Sequence, residues 1–250
     1  MPIYESESLV LKSHNLAEAD RIVVFFTREH GVVRGVAKGA KRLNSRFGSM
    51  LEPFSIVNLD YFEKEDRDLV SIRNVDLVRS FFAEASDPAV LQSYAYIADL
   101  LIAFAPPHDA NENLYRMIKA CVESGGSSPV ELAAIRLYFE LWLLRLAGFL
   151  PNWSVCDECR QPFASGESAN VKADFHLLCE RCRKVRSHTV LSAADLETFA
   201  TALKLSPRAF IEFAADRSAE LAAVSAVLKR IIANVIGREV VGENSFALHF

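Results

Sequence analysis

Two closely spaced pairs of cysteines constrain the fold of this chain more than any other feature. Cys156 and Cys159 form one Cys-x2-Cys pair, and Cys179 and Cys182 form the second, with residues 160–178 between them. A Cys-x2-Cys turn directs two thiolates at one point, and two such turns that face each other make the tetrahedral sulfur site typical of zinc. Four protein ligands leave no coordination position for water or substrate. The spacing therefore predicts one structural Zn2+ in a segment too polar to fold without it.

The composition is typical of a folded protein that is not exported. The chain has 250 residues, of which 51% are hydrophobic, enough for one large domain or two smaller ones. Its first residues are polar, and its longest apolar region, 132–150, is interrupted by charged residues. We therefore expect a cytoplasmic protein with neither a signal peptide nor a membrane span. A reducing compartment favours a metal site at these cysteines over the alternative of two disulfides.

The N-terminal part of the chain contains short segments rich in β-branched and aromatic residues, separated by turn residues. This pattern predicts strands. Five short strands in a segment of this length are typical of a small closed barrel of the OB-fold type. The predicted strands cover residues 7–11, 21–27, 32–37, 51–61 and 69–75.

From about residue 80 onward, the apolar residues recur every three or four positions, which predicts helices. The predicted helices cover residues 89–105, 113–122, 129–147, 193–203 and 221–236, with a short helix after Ser206. Ser192 and Ser206 are predicted N-caps. The predicted fold is thus an α+β multidomain chain. An N-terminal OB-fold β-barrel at 1–80 is followed by an all-helical domain at 81–250, which carries a four-cysteine zinc-finger insert at about 153–186.

A cluster of basic residues lies in and around the loop after the third predicted strand. The whole chain has a formal net charge of −4, yet residues 10–50 carry an excess of lysine and arginine. These side chains bind phosphate without reading base sequence, and glycines among them let the backbone approach a ligand closely. The predicted DNA-binding residues are Lys12, Arg34, Lys38, Lys41, Arg42 and Arg46. A solvated charged loop is the alternative interpretation.

Four aromatic residues near this cluster have two interpretations. Phe47, Phe54, Tyr61 and Phe62 are either platforms on which bases stack or side chains of the barrel core. Alternation along the predicted strand favours the core for Phe54.

The sequence contains no Walker phosphate-binding loop, no Rossmann glycine fingerprint, no His-Glu-x-x-His and no nucleophile elbow. We therefore expect a protein without enzymatic activity. Two other classes of function stay open. One is a zinc-containing enzyme that acts on nucleic acid, which would need an open position on the metal. The other is a protein-interaction adaptor that does not bind DNA.

Several segments of the chain resemble the bacterial recombination mediator RecO family and occur in that family's order. The resembling segments are residues 19–23, 26–31, 37–42, 45–48, 51–54 and 148–151, the last leading into the cysteine pairs. Together they extend the resemblance over nearly the whole chain.

The resemblance implies an N-terminal OB-fold, a helical C-terminal domain and a zinc finger. It also implies DNA repair and homologous recombination of the RecF pathway type. The implied activities are binding of single- and double-stranded DNA, annealing of complementary strands, and help in loading recombinase onto strands coated by single-strand-binding protein. The implied partners are RecR and the C-terminal tail of single-strand-binding protein, with no membrane. Such a protein is expected in the bacterial cytoplasm, associated with the nucleoid.

Overall fold

The computed structural model describes residues 2–63, 69–81, 86–106, 109–183 and 189–237. Its contacts divide the chain into two compact units, of which one spans Met1–Val122 and the second begins at Glu123. The first unit extends beyond residue 80, where the sequence predicts a domain boundary, because two helices that follow the barrel pack against the barrel. A domain boundary at residue 80 stays a prediction.

Five strands of the first unit form a closed barrel. They are β1 (Ile3–Leu16), β2 (Asp20–Thr27), β3 (Gly31–Ala37), β4 (Ile56–Phe62) and β5 (Val70–Arg79). Their order around the barrel is β1-β2-β3-β5-β4, closed by antiparallel pairing of β4 with β1. Strands β3 and β5 are parallel, and the other neighbours are antiparallel. The predicted OB-type barrel is confirmed.

Alternation along the strands fills the barrel interior. Val23 and Phe25 of β2 are fully buried in its core, whereas Val24 between them lies on the outer face. Gly35 allows β3 and β5 to approach each other, since a Cβ there would lie 2.8 Å from Cγ1 of Ile72. The remaining core residues include Val10, Val33, Phe47, Leu51, Val57, Leu59, Tyr61, Val70 and Val75.

The strand predicted over 51–61 is wrong in its first part, because β4 begins at Ile56. Residues 51–54 form turns, and Phe54 has a left-handed backbone with φ of 67°. Leu51 is nevertheless buried in the barrel core. Apolar residues that anchor a loop to a core resemble strand residues in sequence, since both are apolar at intervals.

Two helices pack against the outside of the barrel within the first unit. They are α1 (Pro88–Phe104) and α2 (Glu112–Ser124). The ring of Tyr94 on α1 contacts that of Phe54, with centroids 4.9 Å apart. On α2, the Tyr115 hydroxyl donates to Glu7 at 3.1 Å, and Lys119 pairs with the same carboxylate at 2.8 Å.

The described part of the second unit contains four helices, α3 (Pro129–Leu146), α4 (Ala193–Ala202), α5 (Pro207–Phe213) and α6 (Ser218–Ile236). Ser192 and Ser206 cap α4 and α5, as predicted. Helix α3 is buried on most sides and includes Glu140, whose carboxylate accepts a 2.7 Å hydrogen bond from Ser225 of α6.

The cysteine-containing segment lies between α3 and α4. It includes a small antiparallel sheet of three strands, β6 (Ala169–Val171), β7 (Leu177–Leu178) and β8 (Val190–Leu191), in the order β7-β6-β8. Among the helices of the described ranges, none combines the length and the apolar character needed to cross a bilayer.

Candidate nucleic-acid interface and metal centre

The β3–β4 loop, residues 38–55, presents most of the predicted DNA-binding residues. Lys38, Lys41, Arg42 and Arg46 all have exposed side chains. The loop has a defined backbone, because it forms a series of hydrogen-bonded turns and some of its apolar residues are buried. The backbone positions from which the four cationic side chains project are therefore fixed.

The first half of the loop is tied to the turn between β1 and β2. The Gly39 N–H donates to the Asp20 carboxylate at 2.8 Å, and the Lys41 N–H donates to the carbonyl of Ala19 at 2.9 Å. The Lys41 ammonium also donates to the carbonyl of Ala17 at 3.2 Å. Gly39 has φ of 72°, a conformation that favours glycine, and a Cβ there would lie 3.4 Å from the Arg42 side chain.

The second half of the loop is tied to β1, β2 and the barrel interior. Phe47 and Leu51 are buried in the core, and Arg21 of β2 pairs with Glu52 at 3.3 Å. The Phe54 N–H donates to the carbonyl of Val10 at 2.6 Å.

Among the four aromatic residues near the loop, Phe47 and Tyr61 are side chains of the barrel core, whereas Phe54 is buried against Tyr94 of α1. Phe47, Phe54 and Tyr61 are buried, and Phe62 is partly exposed at the end of β4. Burial raises the pKa of the Tyr61 hydroxyl above its ordinary value. Three of these four rings are thus inaccessible to a nucleobase.

Within the described residues, three cations of the loop lack carboxylate partners, unlike Lys12 and Arg28 of the same unit. Lys38, Arg42 and Arg46 form no ion pair with any residue in the described ranges. Arg46 instead lies over the Phe47 ring, with Cζ 4.8 Å from its centroid. Lys12, by contrast, is paired with Asp99 on α1. Cations without partners offer their full charge to a phosphate.

Lys12 and Arg34 lie in one row across the outer face of the barrel. Val24 of β2 is opposite Lys12 on one side and opposite Arg34 on the other. Directly opposed residues project from the same face of a sheet. Arg34 is exposed, and it has no ion-pair partner among the residues that the structure describes.

One exposed cation, Arg73 on β5, is absent from the predicted set. Val36 of β3 pairs with Ser71 of β5, and the two strands are parallel. Lys38 follows Val36 by two residues and Arg73 follows Ser71 by two residues, so both lie at the same distance beyond this pair. Arg73 is exposed and forms no ion pair within the described part of the chain. Only the strand register could have indicated it, because β3 and β5 are far apart in sequence.

In the second unit, the four cysteines of the Cys-x2-Cys pairs come together. The Sγ atoms of Cys156, Cys159, Cys179 and Cys182 all lie within 4.8 Å of one another, an arrangement that could hold a metal ion. The Sγ atoms of Cys159 and Cys179 are 3.9 Å apart. A turn brings each pair together. The N–H of Arg160 donates to the carbonyl of Cys156, and the N–H of Cys182 donates to the carbonyl of Cys179.

The protonation of these thiols is uneven. Burial would raise the pKa of the Cys156 thiol, but backbone N–H groups of Cys179, Cys159 and Glu158 donate to its sulfur and lower that pKa to about 6. The pKa of Cys182 is raised to about 12, because its thiol bonds to Cys179, is partly desolvated and lies near the Cys156 charge. Thiolates packed this closely repel one another unless a cation lies between them.

Ion pairs and aromatic contacts hold the cysteine-containing segment in shape. Asp157 pairs with Lys172 at 2.7 Å, which links the first cysteine turn to the residue after β6 and lowers the pKa of the Asp157 carboxyl. The Trp153 indole donates to the carbonyl of Phe175 at 2.8 Å, and its ring packs against Phe199 of α4 with centroids 4.7 Å apart.

Neither the remaining cysteine nor His176 is part of the cluster. Cys121 is buried in α2, and burial raises its pKa, as expected of a small core side chain. His176 lies beside Asp174, with Nδ1 3.4 Å from the carboxylate. His188, which follows the second cysteine pair in the sequence, lies outside the described residues.

Family models cover almost the whole chain. Residues 1–81 match the model described as "Recombination protein O N terminal", and residues 85–241 match "Recombination protein O C terminal". The chain belongs to the RecO family. The segments that resemble RecO in sequence include four residues whose contacts fix the β3–β4 loop to the barrel, namely Asp20, Arg21, Gly39 and Glu52.

Curated relatives named "DNA repair protein RecO" agree with this assignment. The protein from Koribacter versatilis (strain Ellin345) is 34% identical over 177 residues, which are 70% of this chain and 69% of the relative. The protein from Anaeromyxobacter sp. (strain K) is 31% identical over 197 residues, 79% of this chain and 76% of the relative. The protein from Bifidobacterium adolescentis is 34% identical over 174 residues, 67% of this chain and 68% of the relative.

Proposed function

We propose that this RecO-family protein is a non-enzymatic mediator of DNA repair that binds single- and double-stranded DNA through the β3–β4 loop. The proposal depends on one observation: Lys38, Arg42 and Arg46 are exposed on a loop bonded to the barrel, and they form no ion pair with another described residue. Lys and Arg neutralise phosphates and release counterions, which supplies affinity without base specificity. Membership of the RecO family supports a role in repair and recombination.

Within this interface, the cations contribute unequally. Lys41, Arg42 and Lys38 lie together in the loop, and Arg34 extends the surface along β3. Lys12 belongs to the same outer face but shares its charge with Asp99. A phosphate that approaches Lys12 must compete with that carboxylate, so the loop cations contribute more of the affinity.

We further propose annealing of complementary strands and help in loading recombinase onto strands coated by single-strand-binding protein. Annealing needs no catalytic group, since a cationic surface that lowers the repulsion between two strands is sufficient. The proposed partners are RecR and the C-terminal tail of single-strand-binding protein, and the proposed location is the bacterial cytoplasm at the nucleoid. These finer proposals rest on family membership.

The cysteine cluster fits one Zn2+ in a structural role. Zn–S bonds of about 2.3 Å in a tetrahedron put neighbouring sulfurs about 3.8 Å apart. The Cys159 and Cys179 sulfurs are already 3.9 Å apart, and all four lie within 4.8 Å of one another. With four thiolate ligands the ion would complete the segment's fold and leave no position for a substrate.

The test compares single-strand binding by two triple variants across a range of salt concentrations. In the first, Lys38, Lys41 and Arg42 are replaced by Ala. In the matched control, Arg116, Lys204 and Arg208, which are also exposed, are replaced by Ala, so that the same charge is removed. The loop variant should lose affinity equally for different base sequences. The slope of log affinity against log salt should fall by roughly two units, at about 0.7 per phosphate. Equal losses in the two variants would show that net charge, rather than the loop, determines binding.

A further inference from the structure

The β3–β4 loop has at its tip an apolar side chain that is fully exposed. Leu43 is 102% exposed, more than the other large hydrophobic side chains with notable exposure, among which Val78 is at 50%. Three other apolar residues of the loop, Ala40, Phe47 and Leu51, are buried in the barrel core, and Met50 is partly buried against it. The loop thus buries its other apolar anchors and leaves one leucine in water.

Hydrogen bonds hold Leu43 in this position. The Ser45 N–H donates to the carbonyl of Arg42 at 2.9 Å, which makes Leu43 and Asn44 the central residues of a β-turn. The preceding turn is closed by the Arg42 N–H on the carbonyl of Gly39 at 3.1 Å. Gly39 is in turn bonded to Asp20, so the tip is connected to the barrel through consecutive turns.

The surroundings of Leu43 indicate which ligand would cover it. Its neighbour Arg42 and the nearby Lys41 and Arg46 are exposed, and none of them forms an ion pair with another described residue. The complementary ligand is a polyanion that also exposes apolar faces at short intervals along its length. Single-stranded DNA has this chemistry, because its phosphates are negative and its unpaired bases have accessible apolar faces. In a duplex, those faces are stacked inside.

We propose that Leu43 inserts against the bases of single-stranded DNA while the surrounding cations hold the phosphates. This inference rests on the proposed DNA-binding function and assigns the loop a contact with bases in addition to phosphates. Apolar side chains that enter between base steps unstack them. Leu43 therefore keeps bound bases apart and open to pairing, and it gives the loop a preference for single strands over duplex.

The test separates base contact from phosphate contact by using two probes with equal numbers of phosphates. One is a labelled oligothymidylate, and the other is an abasic strand of the same length. Leu43→Ala should weaken binding to oligothymidylate by about threefold to tenfold and leave abasic binding unchanged. The salt dependence should not change, since no charge is removed. Leu77→Ala is the matched control, because Leu77 is a partly exposed leucine of the same unit, at 43%.

A second variant adds an outcome in the opposite direction. Leu43→Trp should tighten oligothymidylate binding, because an indole stacks on bases more strongly than leucine packs against them. A strand with adjacent 2-aminopurines should fluoresce more strongly on binding the unmodified protein than on binding Leu43→Ala, since unstacking relieves quenching.

The outcomes distinguish this inference from the proposed function. Equal effects of Leu43→Ala on the oligothymidylate and abasic probes, or no effect on either, would overturn the base contact and leave DNA binding by the loop intact. Absence of binding by the unmodified protein to both probes at low salt would overturn the proposed function, and the base contact with it.

Discussion

At the scale of single residues, hydrogen bonds from the β1–β2 turn determine how the loop presents its charges. Asp20 accepts from the Gly39 N–H, and Ala17 and Ala19 accept from Lys41. None of these three residues contacts a ligand in the proposed function. Their expected effect on DNA binding is indirect, because they fix the backbone from which the cations project.

Replacement of Asp20 separates this positioning role from simple electrostatics. Asp20→Ala removes the acceptor of the Gly39 N–H, which should lower the free energy of unfolding by about 1–2 kcal/mol and weaken single-strand binding. Removal of a negative charge alone would strengthen binding to DNA, so the two effects have opposite signs. Thermal unfolding and fluorescence anisotropy with a labelled oligonucleotide provide the measurements.

The control for this prediction is Asp20→Asn, which keeps a side-chain oxygen as acceptor and removes the charge. It should bind DNA at least as well as the unmodified protein. If Asp20→Ala also binds more tightly, the hydrogen bond to Gly39 has no role in presenting the loop.

At the scale of elements, the cysteine-containing segment should depend on the proposed zinc more than the helices around it do. Cys159→Ser should abolish bound zinc, measured by elemental analysis, and should increase amide hydrogen exchange over residues 153–183. Structural zinc contributes about 10–16 kcal/mol of binding free energy in isolated fingers, so its loss is not compensated by the short strands β6, β7 and β8. Helices α3 and α6 should keep their protection, because they pack on each other outside this segment.

Cys121→Ala is the matched control for metal loss. It also removes a thiol, but from the buried face of α2 rather than from the cluster. It should keep one zinc per chain. Zinc retained in Cys159→Ser, or a disulfide among the four cysteines in protein purified under reducing conditions, would contradict the proposed site.

The start of α3 contains a capping box whose contribution depends on pH. The Glu131 carboxylate accepts from the N–H groups of Ser128 at 2.9 Å and Ser127 at 3.0 Å, which lowers the pKa of Glu131. A lowered pKa in the folded state means that the stabilisation is complete above the unfolded value near 4.5. It is lost as the pH falls through the lower folded value.

Glu131→Gln should therefore destabilise the protein by about 0.5–1 kcal/mol at pH 7, and the difference should shrink below the unfolded pKa. Denaturant unfolding of both proteins at several pH values measures this difference. Because both proteins carry the same cysteines, acid release of metal affects them equally. Glu212→Gln, which loses only an exposed pair with Arg208, serves as the control and should show little pH dependence. A constant difference at all pH values would mean that the charge of Glu131 has no role in the cap.

At the scale of the whole molecule, annealing by charge neutralisation should need neither nucleotide nor a catalytic metal. Complementary strands coated with single-strand-binding protein should anneal in EDTA, as long as the structural zinc stays bound, and ATP should have no effect. Annealing should decline as salt shortens the Debye length from about 10 Å at 0.1 M to about 3 Å at 1 M. Quenching between dye-labelled strands measures the rate.

The Lys38, Lys41 and Arg42 triple variant is the control for this assay and should anneal poorly. Strand cleavage, ATP hydrolysis above background or a strict requirement for added magnesium would each show that the protein is an enzyme rather than a mediator.

Sequence alone was sufficient for the features that depend on local pattern or on ligand chemistry. Apart from the start of β4, the strands of the barrel follow from runs of β-branched and aromatic residues, and the cysteine cluster follows from the chemistry of Cys-x2-Cys turns. The N-caps Ser192 and Ser206 were also evident, because a cap and its helix are neighbours in the chain.

Only the tertiary structure decided which charges are paired and which apolar residues are buried. Lys12 and Asp99 are partners from distant parts of the chain, and the position of Arg73 beyond the β3–β5 pairing follows from strand register. Leu43 and Leu51 are both loop leucines, yet one is fully exposed and the other is buried in the core. Burial and ion pairing depend on contacts between residues far apart in sequence, which local periodicity does not specify.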